Sequence, residues 1–221
     1  MITYFAYGSN LDVEQMRERV GFNSLPMPAQ LSGYKLVFDK YSINRHCGVA
    51  NLRYTGIVTD TVEGLVYQLN AEQLATLDRF EGFRPSRPSP TGYRRQEVSL
   101  TDGTTAITYI APRGDMSLKP SVAYLQHFLK GKNALSPDYY GAFFRLPVND
   151  GNQLRDHLPQ KYLEYCVEHG KQLGILHALA NHATLTTQML STINSPAYRA
   201  NNPLTIAALQ PYLDSSRRLV L

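Results

Sequence analysis

The spacing of short apolar runs in the first half of this chain limits its fold more than any other feature. Runs rich in β-branched and aromatic residues recur at 2–7, 31–38, 48–54, 64–69, 93–100 and 105–110, bounded by Gly, Asn, Asp and Ser. Runs of that kind read as strands. Asp102-Gly103, between the last two, tolerates φ > 0 and marks a hairpin. Most gaps between runs are too short for a helix that crosses back over a sheet, which favours a mixed sheet over a doubly wound fold. The expected class is α+β, a small mixed β-barrel with flanking helices.

Two helices interrupt the strands. Asp12 with Gln15, and Asn70 with Gln73, have capping-box spacing and predict helices from about 13 to 20 and from 71 onward. Leu74, Leu77 and Phe80 give the second helix one apolar face. After Pro120 the pattern becomes helical, beginning with Val122, Leu125, Phe128 and Leu129. The stretch 154–221 is rich in Leu, Ala and His, with breaks at Ser195-Pro196 and Asn202-Pro203. The division expected is a domain over 1–150 and a helical C-terminal extension of unknown role over 151–221.

Composition narrows the class of function. With 221 residues, 43% hydrophobic and 18% charged, the chain has material for a real core, and intrinsic disorder is disfavoured. A net charge of +4 is small and dispersed, with no Lys/Arg tract, so no nucleic-acid partner is expected. No segment reaches the roughly 18 apolar residues of a membrane span, and Met1-Ile2-Thr3-Tyr4 lacks a basic leader region. Cys47 and Cys166 are too few for a disulfide scaffold or a Cys-rich zinc site. They fit a reducing, cytoplasmic setting, although two cysteines also suffice for one bridge.

Four places carry possible chemistry. In Tyr7-Gly8-Ser9-Asn10-Leu11 a strand stops at Gly before a helix, leaving backbone N–H groups suited to a carboxylate or an oxyanion. The same letters also make an ordinary strand-to-helix turn. Glu81 stands where a helix meets Gly82, between Phe80 and Phe83. The negative helix end and the apolar neighbours both raise a carboxyl pKa, as a general base needs, whereas a solvated helix-end Glu is the plain alternative. Gly92-Tyr93 opens a strand, and Asp138-Tyr139-Tyr140 lies farther on, in a chain of 15 Tyr where a single Tyr says little. The loop from Glu81 to Tyr93 holds Pro85, Pro88 and Pro90 with Arg84, Arg87, Arg94 and Arg95 in or beside it. An Arg there suits a substrate carboxylate, but a solvated polar loop is the expected reading.

Other chemistries fit less well. Ser9 as a nucleophile lacks the second Gly of a nucleophile elbow and a marked His/Asp partner. His46 and Cys47 are neighbours on a strand and point to opposite faces, and Cys166 reads as a small core residue. His157, His169, His177 and His182 lack the three- or four-residue spacing of ligands on one helical face, so no metal is expected.

Taken in order, Tyr-Phe-Ala-Tyr-Gly-Ser-Asn-Leu (4–11), Gly-Val-Ala-Asn-Leu (48–52), Glu-Gly-Leu-Val-Tyr-Gln-Leu (63–69), Leu-Asp-Arg-Phe-Glu-Gly (77–82) and Gly-Tyr-Arg-Arg (92–95) resemble the γ-glutamylcyclotransferase family. Ser-Pro-Asp-Tyr-Tyr (136–140) fits the helical end of that pattern, so the resemblance spans about 3–146. It implies a small mixed β-barrel, Glu81 as catalytic acid–base, and a substrate loop formed by Tyr7, Gly8, Ser9, Asn10 and Leu11. It further implies that Tyr93 and Tyr139 line the pocket, with Tyr140 the rival of Tyr139. The implied reaction is cofactor-free and metal-free: the α-amine of a γ-glutamyl amine or amino acid attacks its own γ-carbonyl, giving 5-oxoproline and a free amine. A module of the same fold that binds γ-glutamyl compounds without turnover is the alternative. The 81–93 loop is longer and more basic than is usual in the family, and the region after 154 has no counterpart in it. Neither the acceptor portion of the substrate nor the oligomeric state is legible.

Overall fold

The computed structural model describes residues 1–87 and 89–210. These divide into two compact units, the first Met1–Phe143 with Pro147–Gly151, the second Phe144–Leu146 with the chain from Asn152 onward. Pro88 and the last eleven positions of the expected helical extension lie outside the described residues.

The first unit is built on β1 (Ile2–Ala6), whose Tyr4, Phe5 and Ala6 are buried. β1 pairs antiparallel with β5 (Thr61–Leu69) and parallel with β7 (Thr105–Ile110). β2 (Met27–Ser32) adds to β5 and β6 (Arg94–Ser99) adds to β7, both antiparallel, giving the order β2-β5-β1-β7-β6. β3 (Tyr34–Ser42) and β4 (Cys47–Tyr54) form a separate two-stranded ribbon.

Two expectations need correction. Hydrogen bonding among the described residues gives an open five-stranded sheet and a ribbon, not a closed barrel. The run 31–38 is also not one strand. Gly33 takes φ +79°, and its N–H and C=O are used by Asp60 and Thr55, so the chain leaves β2 there and starts β3.

The ribbon carries a bulge that matters for the site. Val37 faces Asn51 and Lys40 faces Val49, so Phe38 and Asp39 together oppose Ala50. The bulge sends buried Asp39 to accept from Asn51 Nδ2 at 2.8 Å and Gly114 N–H at 3.1 Å, and to pair with Arg53. It also leaves Ala50 without a one-to-one partner on β3.

The helices begin where the caps indicate. Asp12 accepts from the N–H of Gln15 at the start of α1 (Val13–Val20). Asn70 and Gln73 form the reciprocal capping box of α2 (Ala71–Glu81), which buries Leu74, Leu77 and Asp78. α3 (Val122–Leu129) lays Tyr124, Leu125, Phe128 and Leu129 into the core, and α4 (Pro137–Phe143) follows.

The second unit is all helix among its described residues. α5 (Leu154–His157), α6 (Pro159–Glu168), α7 (Gln172–Ala180), α8 (Thr187–Asn194), α9 (Pro196–Asn201) and α10 (Pro203–Leu209) surround Leu163, Cys166, Ile175, Ala178 and Ile193. Pro196 and Pro203 stand at the first position of α9 and α10, where a missing N–H costs nothing. Gly174 lets α6 and α7 approach closely: a Cβ there would lie 2.8 Å from the Tyr162 hydroxyl and against Cys166 Sγ. No described helix is long and apolar enough to cross a membrane.

Candidate active site

α2 ends at Gly82, which takes φ +69°, a left-handed conformation that glycine adopts without strain. The last residue before that stop is Glu81, and its carboxylate meets the 3-10 turn Ser9–Leu11 that follows β1. Asn10 Nδ2 donates to Glu81 Oε1 at 3.0 Å and to the Tyr4 hydroxyl at 2.9 Å. Asn10 Oδ1 accepts from Arg19 Nη1 at 2.7 Å, and its backbone carbonyl accepts from the Tyr67 hydroxyl at 2.7 Å. Only 3% of Asn10 is exposed, and these bonds hold its amide in one orientation.

The Glu81 side chain is 17% exposed. Burial pushes its carboxyl above the ordinary range. Arg19, 4.0 Å away, the Asn10 bond, Lys40 and Arg45 pull the other way without cancelling that effect. Burial likewise holds the hydroxyls of Tyr4, Tyr7 and Tyr93 well above the usual phenol range, with Glu81 adding to it, so they stay protonated at neutral pH.

In the turn, Leu11 N–H bonds to the Gly8 carbonyl at 3.0 Å and Asp12 N–H to the Ser9 carbonyl at 3.1 Å. The N–H groups of Gly8, Ser9 and Asn10 have no partner among the described residues. They form a short row of donors beside Glu81, the arrangement that accepts an anion or a developing oxyanion.

Facing this row is Ala50, opposite the bulge. Its N–H donates to the Tyr124 hydroxyl at 3.0 Å, and its carbonyl accepts from the Tyr93 hydroxyl. Tyr7 donates to the carbonyl of Tyr109, whose own hydroxyl donates to Asp78 at 2.7 Å. Asp78, one turn before Glu81, also pairs with Arg95, so β6 and β7 clamp the end of α2.

These groups surround two joined spaces. An inner cavity of about 40 Å³ is lined by Tyr7, Gly8, Ser9, Asn10, Glu81 and Tyr93, among others. An outer cavity of about 420 Å³ shares Ser9, Glu81, Tyr93 and Tyr124 with it and adds Arg19, Lys40 and Arg45. The structure therefore brings Tyr7, Gly8, Ser9, Asn10, Tyr93 and Glu81 together.

It does not bring the other two. Leu11 is fully buried and lines neither cavity. Tyr139 packs its ring on Phe143 at 5.4 Å, and its hydroxyl is buried with no partner among the described residues. It lines neither cavity, and nor does its rival Tyr140. Tyr124, on α3, lines both cavities.

The basic residues of the loop follow the solvated reading, with Arg84, Arg87 and Arg94 exposed. Arg84, Arg87 and Arg94 line neither cavity, and Arg95 is engaged by Asp78. The cavity cations are Arg19 from α1 and Lys40 and Arg45 from the ribbon. Arg19 had a readable signal, two turns after the capped start of its helix. Lys40 and Arg45 had none, because the bulge that aims Lys40 leaves no mark in the residue pattern. No histidine lines either cavity, so Ser9 has no imidazole there. Cys47 is buried at the start of β4, whereas His46 is exposed in the turn before it at φ +50°, so the two are not neighbours on one strand as expected. Among the described residues no group of three or more His, Cys, Asp or Glu is placed to hold a metal ion.

A family model described as gamma-glutamyl cyclotransferase, AIG2-like, matches residues 4–127, more than half of the chain. The chain belongs to that family. Among solved structures, the uncharacterized protein loc79017 from Homo sapiens is 28% identical, with a TM-score of 0.59 over 68% of this chain and 90% of that one. A protein named gamma-glutamyl cyclotransferase is 27% identical, with a TM-score of 0.59 over 71% of this chain and 97% of that one. YkqA from Bacillus subtilis is 26% identical, with a TM-score of 0.55 over 67% of this chain and 56% of that one. No curated protein matches the sequence.

Proposed function

We propose that residues 1–150 form a cyclotransferase that cleaves γ-glutamyl amines or amino acids to 5-oxoproline and a free amine, with Glu81 as acid–base. One observation carries the reading. A carboxylate held above its ordinary pKa by burial lies within a hydrogen bond of a turn whose N–H donors are free, at the floor of a cavity.

The chemistry follows from that arrangement. The reaction is intramolecular, so the protein's task is to fold the substrate and move protons. The α-ammonium gives a proton to Glu81 and becomes a nucleophile. Its nitrogen attacks the γ-carbonyl carbon, and a five-membered ring closes through a tetrahedral oxyanion. The C–N bond to the departing amine breaks as Glu81 returns the proton to that nitrogen, and the ring nitrogen, cationic after its attack, gives up its surplus proton to the carboxylate freed in that step. The N–H groups of Gly8, Ser9 and Asn10 hold either the α-carboxylate or the oxyanion. Tyr7 and Tyr93 wall the inner cavity. No cofactor or metal takes part in these steps. Both cysteines are free, which supports a reducing, cytoplasmic setting.

The test is to incubate the purified protein with a panel of γ-glutamyl compounds and assay 5-oxoproline by mass spectrometry. Glu81→Gln is expected to lower the rate by about 10²–10⁴-fold. Near wild-type turnover by that variant would end the assignment. Tight binding of γ-glutamyl compounds without any product would point to a non-catalytic module instead.

A further inference from the structure

The outer cavity carries a charge imbalance. Its described lining holds three cations, Arg19, Lys40 and Arg45, and one carboxylate, Glu81. Arg19 is committed, through its bond to Asn10 and its approach to Glu81. Lys40 and Arg45 are different: among the described residues neither has a carboxylate within ion-pair distance. Lys40 Nζ rests over the Tyr93 ring at 4.9 Å, with the Tyr41 carbonyl at 3.5 Å. The Arg45 guanidinium rests over the Tyr124 ring at 5.0 Å, with Gln15 Oε1 at 3.5 Å. Each cation is thus braced on the face of a tyrosine that also walls the inner cavity.

A γ-glutamyl headgroup does not discharge this pair. It bears one carboxylate and one ammonium, and the free N–H row at Gly8–Asn10 already suits its carboxylate. The two braced cations lie in the wider space, where the departing amine must extend. A guanidinium and an ammonium lining one space match a carboxylate, and they disfavour a neutral or cationic group. Burial also lowers the Lys40 pKa, and an anion bound there would restore it.

We propose that Lys40 and Arg45 form a subsite for a carboxylate on the amine portion of the substrate, making γ-glutamyl amino acids and peptides the favoured class over γ-glutamyl amines. This rests on the cyclotransferase reading.

The experiment compares kcat/KM for γ-glutamyl-alanine, γ-glutamyl-alaninamide and γ-glutamyl-putrescine, which share one headgroup. The alanine compound is expected to exceed the amide by about 10–100-fold, the effect of a hydrogen bond to a charged group. Lys40→Gln and Arg45→Gln are each expected to shrink that ratio severalfold. Arg45→Glu is expected to raise the putrescine compound relative to the alanine compound, with circular dichroism confirming the fold. Equal rates for all three compounds, or a ratio that no variant changes, would overturn the subsite while leaving the cyclotransferase reading intact. If none yields 5-oxoproline, that reading fails, and calorimetry decides the subsite: tenfold tighter binding of the alanine compound than the amide supports it, and equal affinity overturns it.

Discussion

Asn10 bridges Arg19 and Glu81, accepting from the guanidinium at 2.7 Å through Oδ1 and donating to the carboxylate at 3.0 Å through Nδ2. Only an amide presents an acceptor and a donor in this order. Asn10→Asp replaces the donor with a second negative oxygen and draws Arg19 toward itself. Loss of the donor, the added charge and the diverted guanidinium all favour protonated Glu81. The acidic limb of the pH–rate profile is expected to move to higher pH, with kcat/KM at pH 6 falling by roughly tenfold or more. An unmoved limb would show that Asn10 does not tune the carboxylate.

Glu81 should cost the fold stability. Its folded pKa is raised above the ordinary value of 4.5, so the native state holds the proton more tightly than the unfolded state does. Stability from this group is complete below about that value and is lost as pH rises through the folded pKa. Glu81→Gln removes the titration. Wild type and variant are expected to melt alike near pH 4, with the variant increasingly the more stable toward pH 8. Thermal melts across that range check it, and a gap that closes with rising pH would contradict it.

Ala50 depends on two tyrosines for its backbone hydrogen bonds. Tyr124→Phe leaves a buried N–H unpaired and Tyr93→Phe a buried carbonyl, each expected to cost about 1–3 kcal/mol. Urea titration measures this directly. Phenylalanine keeps the ring on which each cavity cation rests, so KM is expected to change less than the stability does.

Gly64 leaves no room for a side chain between β5 and β1. A Cβ there would lie 2.7 Å from the Phe5 ring and against the Ala6 carbonyl. Gly64→Ala is therefore expected to destabilise by about 3 kcal/mol, since backbone oxygen yields less than a side chain. Gly82→Ala meets no atom within 4 Å and suffers only from its left-handed φ, so its cost should be smaller. Denaturation midpoints of the two variants rank them.

Local signals explain what the sequence revealed. The caps at Asp12 and Asn70 are contacts between residues three apart, and both helices start where those letters stand. Glu81 and the turn at Gly8 were legible for the same reason: a helix end and a strand end each announce themselves. Their meeting across 71 positions needs the antiparallel pairing of β1 with β5, which delivers α2 back to the start of the chain. The open sheet, the break at Gly33 and the cations on the ribbon were hidden. Each depends on a bulge or a reversal whose cost is settled by distant neighbours. Tyr139 and Tyr124 differ by no local feature, and only the docking of α3 makes one a cavity wall.

The space between the turn after β1 and the ribbon has a further effect. A Cβ on Gly8 would come within 3.2 Å of the Ala50 methyl. The two positions thus compete for room that accommodates a single methyl group, and neither can grow alone without parting the walls of the inner cavity. Gly8→Ala combined with Ala50→Gly exchanges one occupant for the other, so that drift at these two sites should proceed as a coupled swap rather than by independent steps.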